Sequence, residues 1–134
     1  LTTHSSSSWT NFKDAISKGK FAGNVNTSTS GYQSGTAGLD CSGFVGGAAG
    51  FTAKLGTYDL ASSTYTATIA PSSIQIYDIY VKAGDHVLFY TGDAGTTIST
   101  REATTTGDDK AKAYSRTKSF LSSQGYSLRR FNGF

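Results

Sequence analysis

The chain of 134 residues is poor in several residue types, and each shortage narrows what it can be. It has one cysteine, Cys41, so no internal disulfide can form. Proline occurs once, at Pro71, so the 16 glycines mark tight turns and close backbone packing rather than a disordered low-complexity tract. Histidine occurs only at His4 and His86, and we expect neither a metal nor a cofactor. Charged residues make up 16% of the chain, and a net charge of +3 without a dense Lys/Arg stripe argues against nucleic-acid binding. No apolar run approaches the roughly 18 residues that would span a bilayer. The chain opens at Leu1 and holds no methionine, as a removed signal peptide or trimming would leave it. With its Ser/Thr-rich, low-charge composition, this leads us to expect a secreted, extracellular protein.

What remains is enough for one domain. A chain this long buries roughly two-thirds of its extended surface on folding, so a core forms without disulfide support. We expect a polar N-terminal tail over residues 1–8, a single domain over residues 9–134, and a monomer. Phe12, Ala15 and Ile16 share a helical face that Gly19 would terminate. Residues 20–39 lack periodicity and read as a long loop, and Asn26-Thr27-Ser28 within it is a glycosylation sequon of low specificity. Phe44, Val45, Ala48 and Phe51 then repeat at helical spacing behind Asp40, a natural N-cap. Gly46, Gly47 and Gly50 each cost about 1 kcal/mol there relative to alanine, an expense we expect close packing of the helix on a sheet to offset.

Beyond Pro71 the pattern turns to strands: Ile74-Gln75-Ile76, Asp78 to Val81, His86 to Tyr90 and Thr96 to Ala103, with a hairpin turn over Thr91 to Gly95. Residues 110–124 have helical character and Tyr126 to Phe131 closes as a strand. Strands beside helices in this order indicate an α+β fold, a mainly antiparallel sheet packed against a buried helix.

The lone cysteine carries the sharpest chemical signal. A free cysteine is often just a small buried hydrophobe, but Cys41 sits between polar Asp40 and Ser42 and opens a helix. There the helix dipole and free N–H groups favour a thiolate and can receive an oxyanion. His4 lies in the polar tail, so a base for Cys41 falls to His86, which begins a strand after Ala83-Gly84-Asp85; the alternative is a surface histidine at a turn.

Leu39-Asp40-Cys41-Ser42-Gly43-Phe44-Val45 resembles the nucleophile motif of the NlpC-type cell-wall peptidases, a branch of the papain-like fold. Tyr77-Asp78-Ile79, followed by His86-Val87-Leu88-Phe89-Tyr90-Thr91-Gly92, resembles that family's second block. The resemblance covers roughly two-thirds of the chain. It implies a papain-like core in which Cys41 attacks an amide carbonyl, with His86 as base and acid. The implied substrate is the stem peptide of bacterial peptidoglycan, cut between D-glutamate and the diamino acid that follows. Asp40 and Ser42 match positions that help hold the free amine of the stem's first alanine, and Tyr32 is the nearest counterpart of the family's upstream tyrosine.

The family orients its histidine with a polar residue on the next strand. A turn centred on Asp93-Ala94 sets His86 opposite Arg101, and a shift of one residue brings Thr100 or Glu102 there. Arginine would repel an imidazolium and a carboxylate would stabilise it, so Glu102 is our choice, with Ser99 and Thr100 as alternatives. Tyr114, Tyr126, Arg129 and Arg130 read first as packing and a basic face, and second as cleft residues. The expected activity is that of a peptidoglycan cysteine endopeptidase. An N-acetylmuramoyl-L-alanine amidase of the CHAP kind and a catalytically silent cell-wall binding module are the alternatives.

Overall fold

The computed structural model describes residues 21–22, 36–37, 40–51, 53, 55–104 and 110–133. The expected tail over residues 1–8, the helix ending at Gly19 and the position of Tyr32 lie outside the described residues. The fold is mixed α/β, a six-stranded antiparallel sheet with few helices.

Strands β1 (Phe21–Ala22) and β2 (Thr36–Ala37) form a short parallel ladder of their own. Helix α1 (Cys41–Ala48) follows, and its ends are fixed by the residues that bound it. Asp40 is extended and its Oδ1 accepts the Gly43 N–H at 2.7 Å, filling one of the orphan donors of the first turn. At the other end Gly50 takes φ 83°, a left-handed conformation that glycine adopts without a Cβ clash. The Phe51 N–H then reaches the Gly46 carbonyl at 3.0 Å and the Gly50 N–H that of Gly47 at 3.1 Å, closing the helix. Among the described residues, a Cβ built on Gly46 or Gly47 meets nothing within 4 Å.

After the short α2 (Thr57–Leu60) and β3 (Thr66–Thr68), a 3-10 turn at Pro71–Ser73 occupies the run before β4 (Ile79–Lys82). The strand expected at Ile74-Gln75-Ile76 does not form. The Asp78 carboxylate accepts the Gln75 N–H at 2.6 Å and folds this stretch into a turn instead. Strands β5 (His86–Ala94), β6 (Thr97–Thr104), β7 (Lys110–Thr117) and β8 (Ser127–Phe131) complete the sheet in the order β3-β8-β4-β5-β6-β7. Between β7 and β8 lies helix α3 (Lys118–Ser123).

β5 is central, and its side chains split between two cores. Val87 and Phe89 join Val45, Leu55, Leu60, Ile79, Val81 and Phe131 on one side, while Leu88 and Tyr90 join Ile98 and Leu121 on the other. A strand covered on both faces reads as an unbroken apolar run, which is why His86 to Tyr90 does not alternate with polar residues. Phe44 of α1 meets Phe89 edge-on, ring centroids 6.1 Å apart, so the helix rests on the middle of the sheet.

Two sequence expectations are corrected in this half of the chain. The hairpin turn lies at Gly95-Thr96, not at Asp93-Ala94: Ala94 pairs with Thr97, and a bulge at Thr91 shifts the register so that Tyr90 faces Thr100. Residues 110–117 form a strand where a helix was expected, and only Lys118–Ser123 is helical. Lysine and alanine favour helices, but eight consecutive pairings to β6 override that preference.

Candidate active site

The site is built from the start of α1 and the start of β5. Direct packing of Phe44 and Val45 against Val87 and Phe89 brings the two together. The Gly84 N–H, in the turn between β4 and β5, donates to Thr57 Oγ1 of α2 at 2.9 Å. The Tyr58 side chain lies so close over Gly84 that a Cβ there would stand 2.6 Å from its hydroxyl. Gly84 also takes φ 78°, a left-handed conformation that makes glycine the fitting residue in the turn that delivers Asp85 and His86.

Cys41 opens α1 and is partly exposed. Its Sγ lies 4.0 Å from the Asp85 carbonyl oxygen, a long and weak contact, and stands near enough to the His86 imidazole to favour the ring's charged form. The His86 ring is 15% exposed, and its Nε2 stands 2.7 Å from Glu102 Oε2. With Nε2 committed to Glu102, Nδ1 is the ring nitrogen left to serve the thiol.

Glu102 is completely buried and every acceptor site on its carboxylate is filled. Oε2 accepts from His86 Nε2 and from Arg116 Nη2, both at 2.7 Å. Oε1 accepts from Thr100 Oγ1 at 2.8 Å and from Arg116 Nε at 2.9 Å. Burial alone would drive this carboxyl toward its neutral form, yet the hydrogen bonds from His86, Arg116 and Thr100 hold it ionised, down to about 2. For His86, burial likewise opposes the charged form. The nearby Cys41 side chain, the hydrogen bond to Glu102 and the charges of both outweigh burial and raise the imidazole to about 9. The arrangement therefore favours an imidazolium held between a sulfur and a carboxylate.

The expected site residues fare differently in this geometry. Cys41, His86 and Glu102 are brought together, although not by the register the sequence suggested. The observed pairing sets Glu102 diagonal to His86 rather than opposite it. Thr100, an alternative for the third position, touches Glu102 instead of the ring, and Ser99 pairs with Gly92 at the bulge. Asp40 spends one carboxylate oxygen on the Gly43 N–H, and Ser42 is buried with its hydroxyl donating to that same oxygen at 3.3 Å.

The late arginines act in the scaffold. Arg129 donates to Thr66 and Thr68 across the β3–β8 pair, and Arg130 clamps the buried Asp78 carboxylate with bonds of 2.7 and 2.8 Å. Tyr126 lies nearer the chemistry, lining a groove of about 420 Å³ with Tyr80, Tyr90, Asp93 and Lys118. Burial, with the charges of Asp85, Glu102 and Cys41, pushes its phenol up to about 12 against the opposing pull of Arg116.

Arg116 is the participant that sequence reasoning missed, because it lay in a segment read as helix. The signal was there: Lys112, Tyr114 and Arg116 alternate with Ala111, Ala113 and Ser115, a strand period. Among the described residues no group of three or more His, Cys, Asp or Glu side chains is gathered as for a metal ion. No helix of the described residues is long and apolar enough to cross a membrane. Comparison with family models, with curated proteins and with solved structures finds no match to this chain.

Proposed function

We propose that this chain is a cysteine hydrolase that cleaves amide bonds in the peptide stems of bacterial peptidoglycan, at the D-glutamyl to diamino acid bond. The observation that carries the reading is the convergence of a thiol at a helix N-terminus, an imidazole beside it and a buried carboxylate behind the imidazole. Local geometry of this kind suits nucleophilic catalysis by a thiolate–imidazolium pair. A half-buried helix packed on an antiparallel sheet supports a papain-like arrangement. The substrate class rests on the resemblance of the Asp40-Cys41-Ser42 and His86 segments to the cell-wall peptidases, and it carries with it an extracellular location.

In this mechanism the Cys41 sulfur attacks the amide carbonyl carbon, and the carbonyl π electrons move to oxygen. The N–H groups that open α1, other than that of Gly43, which Asp40 holds, receive that oxyanion. His86 gives its Nδ1 proton to the leaving nitrogen, the C–N bond breaks and the amine departs, leaving a thioester on Cys41. Neutral His86 then takes a proton from water as the hydroxyl adds to the thioester carbon, and collapse expels the thiolate and frees the acid. Glu102 holds the ring through Nε2–H and stabilises its charge. As its own proton affinity lies far below that of the imidazole, it takes no proton.

Mass analysis of purified sacculi of known stem chemistry after digestion tests the reading. A new amine on the diamino acid is the expected product. Release of whole stems from glycan would reassign the enzyme as an amidase, and sacculi left intact by an active thiol would remove peptidoglycan as the substrate.

A further inference from the structure

We propose that Arg116 is a positioning residue that fixes the Glu102 carboxylate in the single orientation able to receive the His86 ring. The inference rests on the reading of Cys41 and His86 as the reacting pair and extends it to a fourth side chain. Arg116 does not stand opposite Glu102 in the sheet. Its register partner is Ile98, while Lys112 faces Glu102 and Tyr114 faces Thr100. The side chain runs back along β7, and its guanidinium passes within 5.5 Å of the Tyr114 ring centroid and 5.8 Å of that of Phe120. Two aromatic rings therefore lie within cation–π range of a guanidinium that is only 19% exposed and whose planar fork meets the carboxylate.

The fork engages both oxygens, Nε on Oε1 and Nη2 on Oε2. A paired bond of this kind sets the plane of the carboxylate, which one bond from Thr100 and one from His86 would leave free to tilt. Oε2 is shared between Arg116 and His86, so the oxygen that holds the ring is the same one the arginine holds. Arg116 touches neither Cys41 nor the imidazole in this network and acts through Glu102 alone.

The titratable and charged groups about the ring are Cys41 on α1, Asp85 in the adjoining turn and Glu102 on β6. Beyond them stand Lys112, Tyr114 and Arg116 on β7 and Tyr126 ahead of β8. Coulomb's law alone says that removing the Arg116 cation makes the nearby imidazole easier to protonate. A positioning role has the opposite sign, because a carboxylate that loses its fixed plane supports the imidazolium less well.

The experiment follows the His86 imidazole by NMR titration in the full chain, with the resonance identified by its loss in His86→Ala. In parallel, iodoacetamide alkylation of Cys41 is measured against pH. Neither readout uses a substrate, so a failure of the peptidoglycan assignment leaves this test intact. For Arg116→Met the midpoint is expected to fall by at least about one pH unit, a tenfold change in proton affinity, and Cys41 alkylation near neutral pH to slow as the imidazolium supports the thiolate less well. Arg116→Lys keeps a cation without the fork and is expected to show a smaller fall in the same direction, which also decides the matter if Arg116→Met does not fold. A midpoint that is unchanged or raised in a folded variant overturns the proposal.

Discussion

Replacing Glu102 by glutamine should be far more damaging than the same change would be if His86 were its only partner. Four donors converge on the Glu102 carboxylate, two of them from a guanidinium. A glutamine amide offers one oxygen, and its NH2 end would meet an oncoming N–H or O–H whichever way it turns. The Arg116 cation, mostly buried, would lose its counter-charge. Removing one partner of a buried ion pair costs about 3–5 kcal/mol. For a domain of this length each kcal/mol lowers Tm by roughly 4 °C, so Glu102→Gln should melt about 12–20 °C below wild type. Adding Arg116→Met removes the stranded charge, and the double variant should be more stable than Glu102→Gln alone. Thermal melts and urea titrations of the four proteins form the cycle. A Glu102→Gln protein that melts within 2–3 °C of wild type, roughly the effect of less than 1 kcal/mol, would refute the reasoning, as would purely additive effects.

Further outcomes follow from the same geometry. The His86 imidazole is raised from 6.5 to about 9, so its contribution to stability is complete below pH 6.5 and is lost as pH rises through 9. Glu102 is lowered from 4.5 to about 2, so its contribution is present above pH 4.5 and is lost as pH falls through 2. Denaturant midpoints measured across pH should therefore be highest between about 4.5 and 6.5, and His86→Ala should flatten the alkaline side. Hydrolysis should decline above about pH 9 as the imidazolium that protonates the leaving nitrogen is lost. Gly84→Ala combines a φ of 78° with a Cβ pressed on Tyr58, and it should cost about 1–2 kcal/mol by denaturation and slow turnover by displacing Asp85 and His86. Thr91 sits at the β5 bulge with a buried hydroxyl that has no hydrogen-bond partner among the described residues. Thr91→Val keeps its shape, removes that group, and should raise stability by about 1 kcal/mol.

Much of the fold was legible because short-range signals and long-range packing agreed. Asp40 caps the helix it was expected to cap, and the apolar run after His86 is the central strand. The errors came where a local preference met a non-local partner. Lysine and alanine over residues 110–117 favour a helix, and only the presence of β6 alongside makes a strand the better state. The bulge at Thr91 is equally invisible from composition, and with the turn two residues later than expected it changes the residue facing Tyr90. Glu102 nonetheless emerged as the partner of His86, since the charge argument did not depend on the register that accompanied it. Arg116 was lost with the misread strand.

The central claim is that Cys41 is the nucleophile of an amide hydrolase whose base is His86. The most direct measurement is turnover of a defined stem peptide, L-alanyl-γ-D-glutamyl-diamino acid, by wild type, Cys41→Ala and His86→Ala, with intact-mass spectra taken during the reaction. The account predicts cleavage by wild type alone and a transient acyl mass on the wild-type chain that is absent from Cys41→Ala. Both variants should remain folded but inactive. Cleavage by folded Cys41→Ala at the wild-type rate would contradict it.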